Sequence, residues 1–162
     1  MIAILSDTHN NLTNLQAALE ICRAEGVTTL IHCGDVTSPE VARYLSGFRV
    51  ILTFGNGDYA SGEILNELKR LDSQNSAAMT FSGEVEGLRV GVTHGHLPGE
   101  VDELVRGGAH EFVFRGHSHR HMEEQVGITR LVNPGALGGL HREPRQFCLL
   151  DPNTGVLRFV VL

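Results

Sequence analysis

The sequence predicts an α/β fold in which two β-sheets pack face to face and helices cover their outer faces. Three features predict it. Strand-like and helix-like segments alternate through the first two-thirds of the chain, which argues for parallel strands joined by crossover helices. From residue 120 onward only strand-like runs remain, which argues for added antiparallel pairing. No linker, repeat or low-complexity stretch breaks the chain, so residues 1–162 are expected to form a single domain.

The elements follow in order. "MIAILS" is an apolar run that ends at Asp7. In "LTNLQAALEICRAEG", Leu12, Leu15, Leu19 and Cys22 recur at spacings of three and four, one helical face, and Gly26 is placed to stop that helix. "VTTLIHCG" is the second strand. "SPEVARYLSG" is a short helix with Ser38 as N-cap and Pro39 at the first helical position. "FRVILTFGN" is the third strand and "GEILNELKRL" the next helix. "AMTFSGEVEGLRVGVTHG" reads as two strands joined by a tight turn at Glu86-Gly87. "GEVDELVRGG" is a helix and "HEFVFRG" a strand. "HMEEQV", "TRLVNPG", "RQFCLLD" and "VLRFVVL" complete the set.

Composition limits the function. A length of 162 residues suffices to bury a core, and 41% apolar with 20% charged residues is a globular balance. The net charge of -6 gives no general attraction to long nucleic acid or to an anionic membrane. The three cysteines lack zinc-finger or CxxC spacing and read as reduced core thiols. The opening "MIAILSDTH" lacks the basic flank of a signal peptide, and no run reaches transmembrane length, so a cytoplasmic protein is expected.

The polar residues fall at strand ends. "SDTH" brings Asp7 and His9, "CGD" brings Asp35, and "FGNGD" brings Asn56 and Asp58. "VTHGH" ends in His94 and His96, and "GHSH" brings His117 and His119. Ligands bind outside the carboxyl ends of parallel strands, so these residues converge on one edge. Asp7, His9, Asp35, Asn56, His94, His117 and His119 are too many ligands for one tetrahedral zinc; they suit two divalent ions sharing a bridging carboxylate. Mixed imidazole and oxygen donors suit manganese first, with nickel, cobalt, zinc, iron or magnesium as alternatives, rather than calcium. Asp7 and Asp35 offset only part of the charge of two such ions, even after a hydroxide is added, so the centre attracts an anion. Two ions about 4 Å apart can clamp a phosphoryl group.

The order "DTH … GD … GN … HGH … GHSH" resembles the calcineurin-like metallophosphoesterase superfamily, and "NPGA" at 133–136 resembles the signature of its small single-domain phosphodiesterase branch. The resemblance implies two mixed sheets packed as a sandwich and flanked by helices, with a binuclear centre at one end. Carried over by position, the first metal takes Asp7, His9, Asp35 and His119, and the second takes Asp35, Asn56, His94 and His117. A metal-bridging hydroxide then attacks the phosphorus of a small phosphodiester. The wider superfamily often has histidine after "GN" as a leaving-group acid; here that position is Gly57. Asp58 and His96 are left as candidate acids. Ala136 replaces the usual serine.

The remaining residues are read as follows. His141, Arg142 and Arg145 are candidates for the pocket mouth, although solvated surface is the leading reading for each. His32 reads as a hydrogen-bonded core residue, and His110 and His121 read as surface. Two other functions compete with a phosphodiesterase. A phosphomonoesterase needs extra cationic contacts. A metal-binding interaction scaffold of the same fold, as in a retromer subunit, has no need for an intact ligand set. Exposed sheet edges allow a homo-oligomer.

Overall fold

The computed structural model describes residues 1–140 and 143–162. The chain begins with β1 (Ile2–Leu5), α1 (Leu12–Ala24), β2 (Thr29–His32), α2 (Pro39–Arg43), β3 (Arg49–Thr53) and α3 (Ser61–Leu71). Each crossover helix is locally encoded. Asn11 caps α1 by accepting the Asn14 N–H at 3.1 Å. Gly26, at φ 69°, ends it, with the Gly26 and Val27 N–H groups donating back to Arg23 and Cys22. Ser38 caps α2 by accepting the Val41 N–H, with Pro39 beside it, as the sequence requires.

The chain continues with β4 (Ser76–Ala78), β5 (Thr80–Val85), β6 (Leu88–Thr93), α4 (Glu100–Arg106) and β7 (Phe112–Phe114). It closes with β8 (Met122–Val126), β9 (Thr129–Asn133), β10 (Gln146–Leu150) and β11 (Leu157–Val161). The β5–β6 hairpin turns at Glu86-Gly87, both with positive φ, which matches a two-residue turn. One segment departs from the sequence reading. "SAA" splits off as the separate strand β4, parallel to β3, and the chain changes sheet at Met79. Three small residues carry no alternation to announce a strand.

Two mixed sheets result. The first has the order β11-β10-β1-β2-β3-β4, and the second β5-β6-β7-β9-β8. β1, β2, β3 and β4 run parallel in the first sheet; β6, β7 and β9 run parallel in the second. Between the sheets lie Ile2, Ile4, Ile31 and Ile51 against Val90, Val92, Phe112 and Phe114. The other face of the first sheet, with Ala3, Leu5, Leu30 and Leu52, packs on Leu15, Leu19, Leu45 and Leu68 from the helical layer. β1 is therefore buried on both faces, which is why "IAIL" is apolar without alternation. The second sheet is covered more thinly, since no residue of α4 is buried.

Two histidines are settled by this packing. His32 is buried in the core, as expected. His110 is buried rather than on the surface. Its Nδ1 donates to the Leu104 carbonyl at 2.9 Å, and its Nε2 accepts from the Ser82 hydroxyl at 2.8 Å, tying the end of α4 to β5. His121 is exposed. All three cysteines are buried and free. No helix among the described residues is long and apolar enough to cross a membrane.

Candidate metal centre

The polar residues singled out in the sequence follow five parallel strands. Asp7 and His9 follow β1, Asp35 follows β2, and Asn56 follows β3. His94 follows β6, and His117 and His119 follow β7. The two sheets contribute jointly. Asp7, His9 and His119 form one tight group of donor atoms, and Asp7, Asp35 and His94 form another.

These loops are under backbone strain. Asp7, His9, Asp35, His117 and His119 all have φ between 45° and 69°, a region that L-residues seldom visit. Such strain collects at functional sites, where the surrounding contacts over-determine it. Gly116 shows how tight those contacts are. A Cβ there would stand 1.9 Å from Ser6 Oγ and 2.8 Å from Asp7 Oδ2.

Hydrogen bonds fix which atoms face inward. Asp7 Oδ2 accepts from the Ser6 hydroxyl at 2.5 Å and from the His117 N–H at 3.1 Å. Asp7 Oδ1 is buried and accepts no hydrogen bond among the described residues. It lies 3.2 Å from His119 Nε2 and 3.7 Å from His9 Nε2, and those two nitrogens are 3.2 Å apart. Asp35 is divided in the same way. Its Oδ1 accepts the Gly57 N–H at 2.7 Å, which leaves Oδ2 3.5 Å from His9 Nε2 and 3.6 Å from His94 Nε2.

His94 has one possible tautomer. Its Nδ1 is 2.7 Å from the Cys33 carbonyl, which can only accept, so Nδ1 carries the proton. Nε2 then presents a lone pair to Asn56 Oδ1 at 3.2 Å and to Asp35 Oδ2. Three metal-competent atoms, His94 Nε2, Asn56 Oδ1 and Asp35 Oδ2, thus face one another. Donors held about 2.1 Å from one ion stand roughly 3–3.5 Å apart, close to the 3.2–3.7 Å among Asp7, His9 and His119 and the 3.6 Å between Asp35 and His94. The donor set therefore fits divalent ions. A carbonyl behind a ligating imidazole also fixes its orientation toward the metal.

Electrostatics favour an anionic Asp7 and a neutral His117, and without metal a protonated His9. Burial pushes the Asp7 carboxyl up, but the imidazoles of His119 and His9, the nearby His94 and the Ser6 hydroxyl hold it well below the usual range. The Asp7 carboxylate raises His9. Burial and the neighbouring His94 lower His117. The His117 ring is exposed, 5.1 Å from the His94 ring between centroids, and stands outside the two tight groups.

The candidate acids are placed less simply. Asp58 is buried, and both its oxygens accept backbone N–H groups, from Asp35, Gly55 and Thr37. It does not line the cleft, and its lone pairs are occupied. Asp58 thus braces backbone from outside the cleft lining, and burial raises its carboxyl above the usual range. The ring of His96 lies 5.3 Å from that of His94 and also stands away from the cleft lining. At Gly57 a Cβ would stand 3.0 Å from Asp35 Oδ1, a close approach that a larger residue would have to relieve by a small shift.

Asn133 was not singled out as a site residue. Its Nδ2 donates to the Gly116 carbonyl at 2.8 Å and to Ser118 Oγ at 3.0 Å, pinning the "GHSH" loop from the "NPGA" turn. Ala136 is fully buried, and the turn acts through main chain, with the Leu137 and Gly138 N–H groups donating to Ser6 and Asp7. Arg145 donates to the Gly138 and Gly139 carbonyls and so braces that turn. His141 and Arg142 lie outside the described residues.

A cleft of about 850 Å³ opens over the centre. His9, Asp35, Asn56, His117 and His119 form its floor, and Asn10, Asn11, Leu12, Thr13 and Leu140 its walls. A sandwich of two mixed sheets with an Asp/His centre at the carboxyl ends of its parallel strands defines a metal-dependent phosphoesterase class. The family model of the calcineurin-like phosphoesterase superfamily domain matches residues 1–155, and the chain belongs to that superfamily. It is 32% identical to Phosphodiesterase MJ0936 of Methanocaldococcus jannaschii, over 99% of this chain and 98% of that protein. The solved structure of a novel archaeal phosphodiesterase superposes with a TM-score of 0.94, at 32% identity over 99% of each chain. YfcE, a phosphoesterase from E. coli, shares the fold with a TM-score of 0.71 at 22% identity, over 99% and 98% of the two chains.

Proposed function

We propose that the chain hydrolyses small phosphodiesters with a pair of divalent ions. The carrying observation is the convergence of metal-competent atoms beside the cleft: Asn56 Oδ1 and Asp35 Oδ2 lie within 3.6 Å of His94 Nε2, and the buried Asp7 Oδ1 faces His9 and His119 without a hydrogen bond among the described residues. Asp7, His9, Asp35 and His119 would hold one ion, and Asp35, Asn56, His94 and His117 the other, with Asp35 shared. Two ions bound there supply Lewis acidity and an activated water for in-line attack on phosphorus. Manganese is the expected ion, given the imidazole and oxygen donors.

The chain's own residues do the rest. The Gly57 N–H holds Asp35 so that one oxygen serves both sides of the centre. The Cys33 carbonyl keeps the His94 lone pair aimed inward. Asn10, Asn11 and Thr13 offer neutral polar contacts to the substrate, and Leu12 and Leu140 an apolar wall. Such walls suit the organic arms of a diester better than the second charge of a monoester. Residues 1–162 would work as one unit.

The test begins with chelator-stripped protein given manganese, nickel, cobalt, zinc or magnesium in turn. Hydrolysis of an aryl phosphodiester is compared with that of the matching monoester. Diester turnover restored by a transition metal, and lost again in Asp35→Asn together with affinity for both ions, is the expected result. Normal metal content and rate in Asp35→Asn would refute the site. Metal binding without turnover of either ester would favour the scaffold.

A further inference from the structure

We propose that Asp58 is the positioning residue that locks the two metal-bearing loops of the first sheet to each other. The inference rests on the two-ion reading above. Asp58 follows β3, touches no cleft surface and is 5% exposed. Its Oδ2 accepts the Asp35 N–H at 2.9 Å and the Gly55 N–H at 2.7 Å, and its Oδ1 accepts the Thr37 N–H at 2.6 Å. These donors come from two loops, 34–37 after β2 and 55–58 after β3.

The first of these loops needs holding. Gly34, Asp35 and Thr37 have φ of 97°, 58° and 77°. Thr37 is β-branched, so its left-handed backbone is disfavoured. Successive N–H groups in such a turn form a concavity that binds an anion, and the Asp58 carboxylate fills it from the neighbouring loop. The bond is returned, because Asp35 Oδ1 accepts the Gly57 N–H beside Asp58. Each acidic residue thus holds the other's loop. The product is a fixed offset between Asp35 and Asn56, the residues that must meet His94.

Asp58→Asn tests this. The amide keeps one acceptor oxygen where the carboxylate had two, and it turns an NH2 toward a backbone N–H. The expected result is a folded chain whose second manganese binds at least tenfold more weakly, by roughly the 10–100-fold cost of losing an outer-shell partner. The spin-coupled signal of two adjacent manganese ions should fade at metal levels that saturate wild type. kcat should fall while KM for an aryl diester holds. Adding Thr37→Gly should restore part of the second site, because glycine takes that backbone without a steric cost.

A folded Asp58→Asn chain with wild-type affinity for both ions and wild-type kcat overturns the proposal. If Asp58→Asn does not fold, the wild-type protein decides. Slow hydrogen exchange at the Asp35, Thr37 and Gly55 amides supports the lock, and fast exchange overturns it. If wild type takes up a single ion, the two-ion reading fails, and those three amides judge the lock by themselves.

Discussion

His32 shows how one neutral side chain can make stability depend on pH. Its Nδ1 accepts the Gly34 N–H at 3.2 Å, so its Nε2 carries the proton and meets Thr8 Oγ1 at 2.8 Å. Burial pushes its pKa down to about 3. An unfolded histidine titrates near 6.5, so the unfolded chain takes up this proton first as pH falls. The stabilisation is complete above about pH 6.5 and drains away toward pH 3, at about 1.4 kcal/mol per pH unit. His32→Asn keeps an acceptor for Gly34 and removes the titration. Denaturant midpoints of the chelated protein between pH 7.5 and 5.5 should fall less steeply in the variant. His9, which shifts in the opposite direction, is present in both proteins and cancels. Equal slopes would place the acid sensitivity elsewhere. The sequence revealed His32 as a core residue because it interrupts an apolar strand. His110 gave no such signal, since its partners are Leu104 and Ser82, the latter 28 positions away.

At the scale of the element, the site is a set of strand ends held from behind by a turn. Asn133 ends β9 and is 1% exposed. Its amide reaches the Gly116 carbonyl and Ser118 Oγ, and its Oδ1 accepts the Gly135 N–H at 2.9 Å. Asn133→Ala strands a buried carbonyl and a buried N–H, a loss of about 1–3 kcal/mol. The "GHSH" loop would also be freed on one side. A lower denaturant midpoint together with weaker manganese binding is expected. Lower stability with unchanged metal affinity would show that the loop holds itself. The candidate ligands were legible because their types recur at the ends of apolar runs, from "SDTH" to "GHSH". The braces were not. Asp58 stands out as a strand-end acid and Asn133 as part of "NPGA", but their role as braces shows only when the fold brings their N–H and carbonyl partners across 15 to 23 positions. β4 was missed because its pairing with β3, not its composition, makes it a strand.

At the scale of the whole molecule, a chain of net charge -6 places a cation-binding cleft at one edge. The acidic surface disfavours long nucleic acid, while two divalent ions would make the cleft attractive to a small anion. The sandwich was legible from the change of rhythm near residue 120. The thin cover of the second sheet by α4 was not, because a helix's burial depends on what it meets.

One feature of the centre reaches beyond chemistry. Asp7, His9, Asp35 and Asn56 hang from the first sheet, and His94, His117 and His119 from the second. Away from this edge, the sheets meet mostly through side chains such as Ile4 and Phe114, which have no direction of their own, with Thr29 donating to Glu86 at 2.6 Å near the far end. Metal at the seam would act as a rivet between two plates. Hydrogen exchange of β2 and β6 should report separate opening energies in chelated protein. With manganese bound, the two strands should open as one unit, at a rate set by release of the metal.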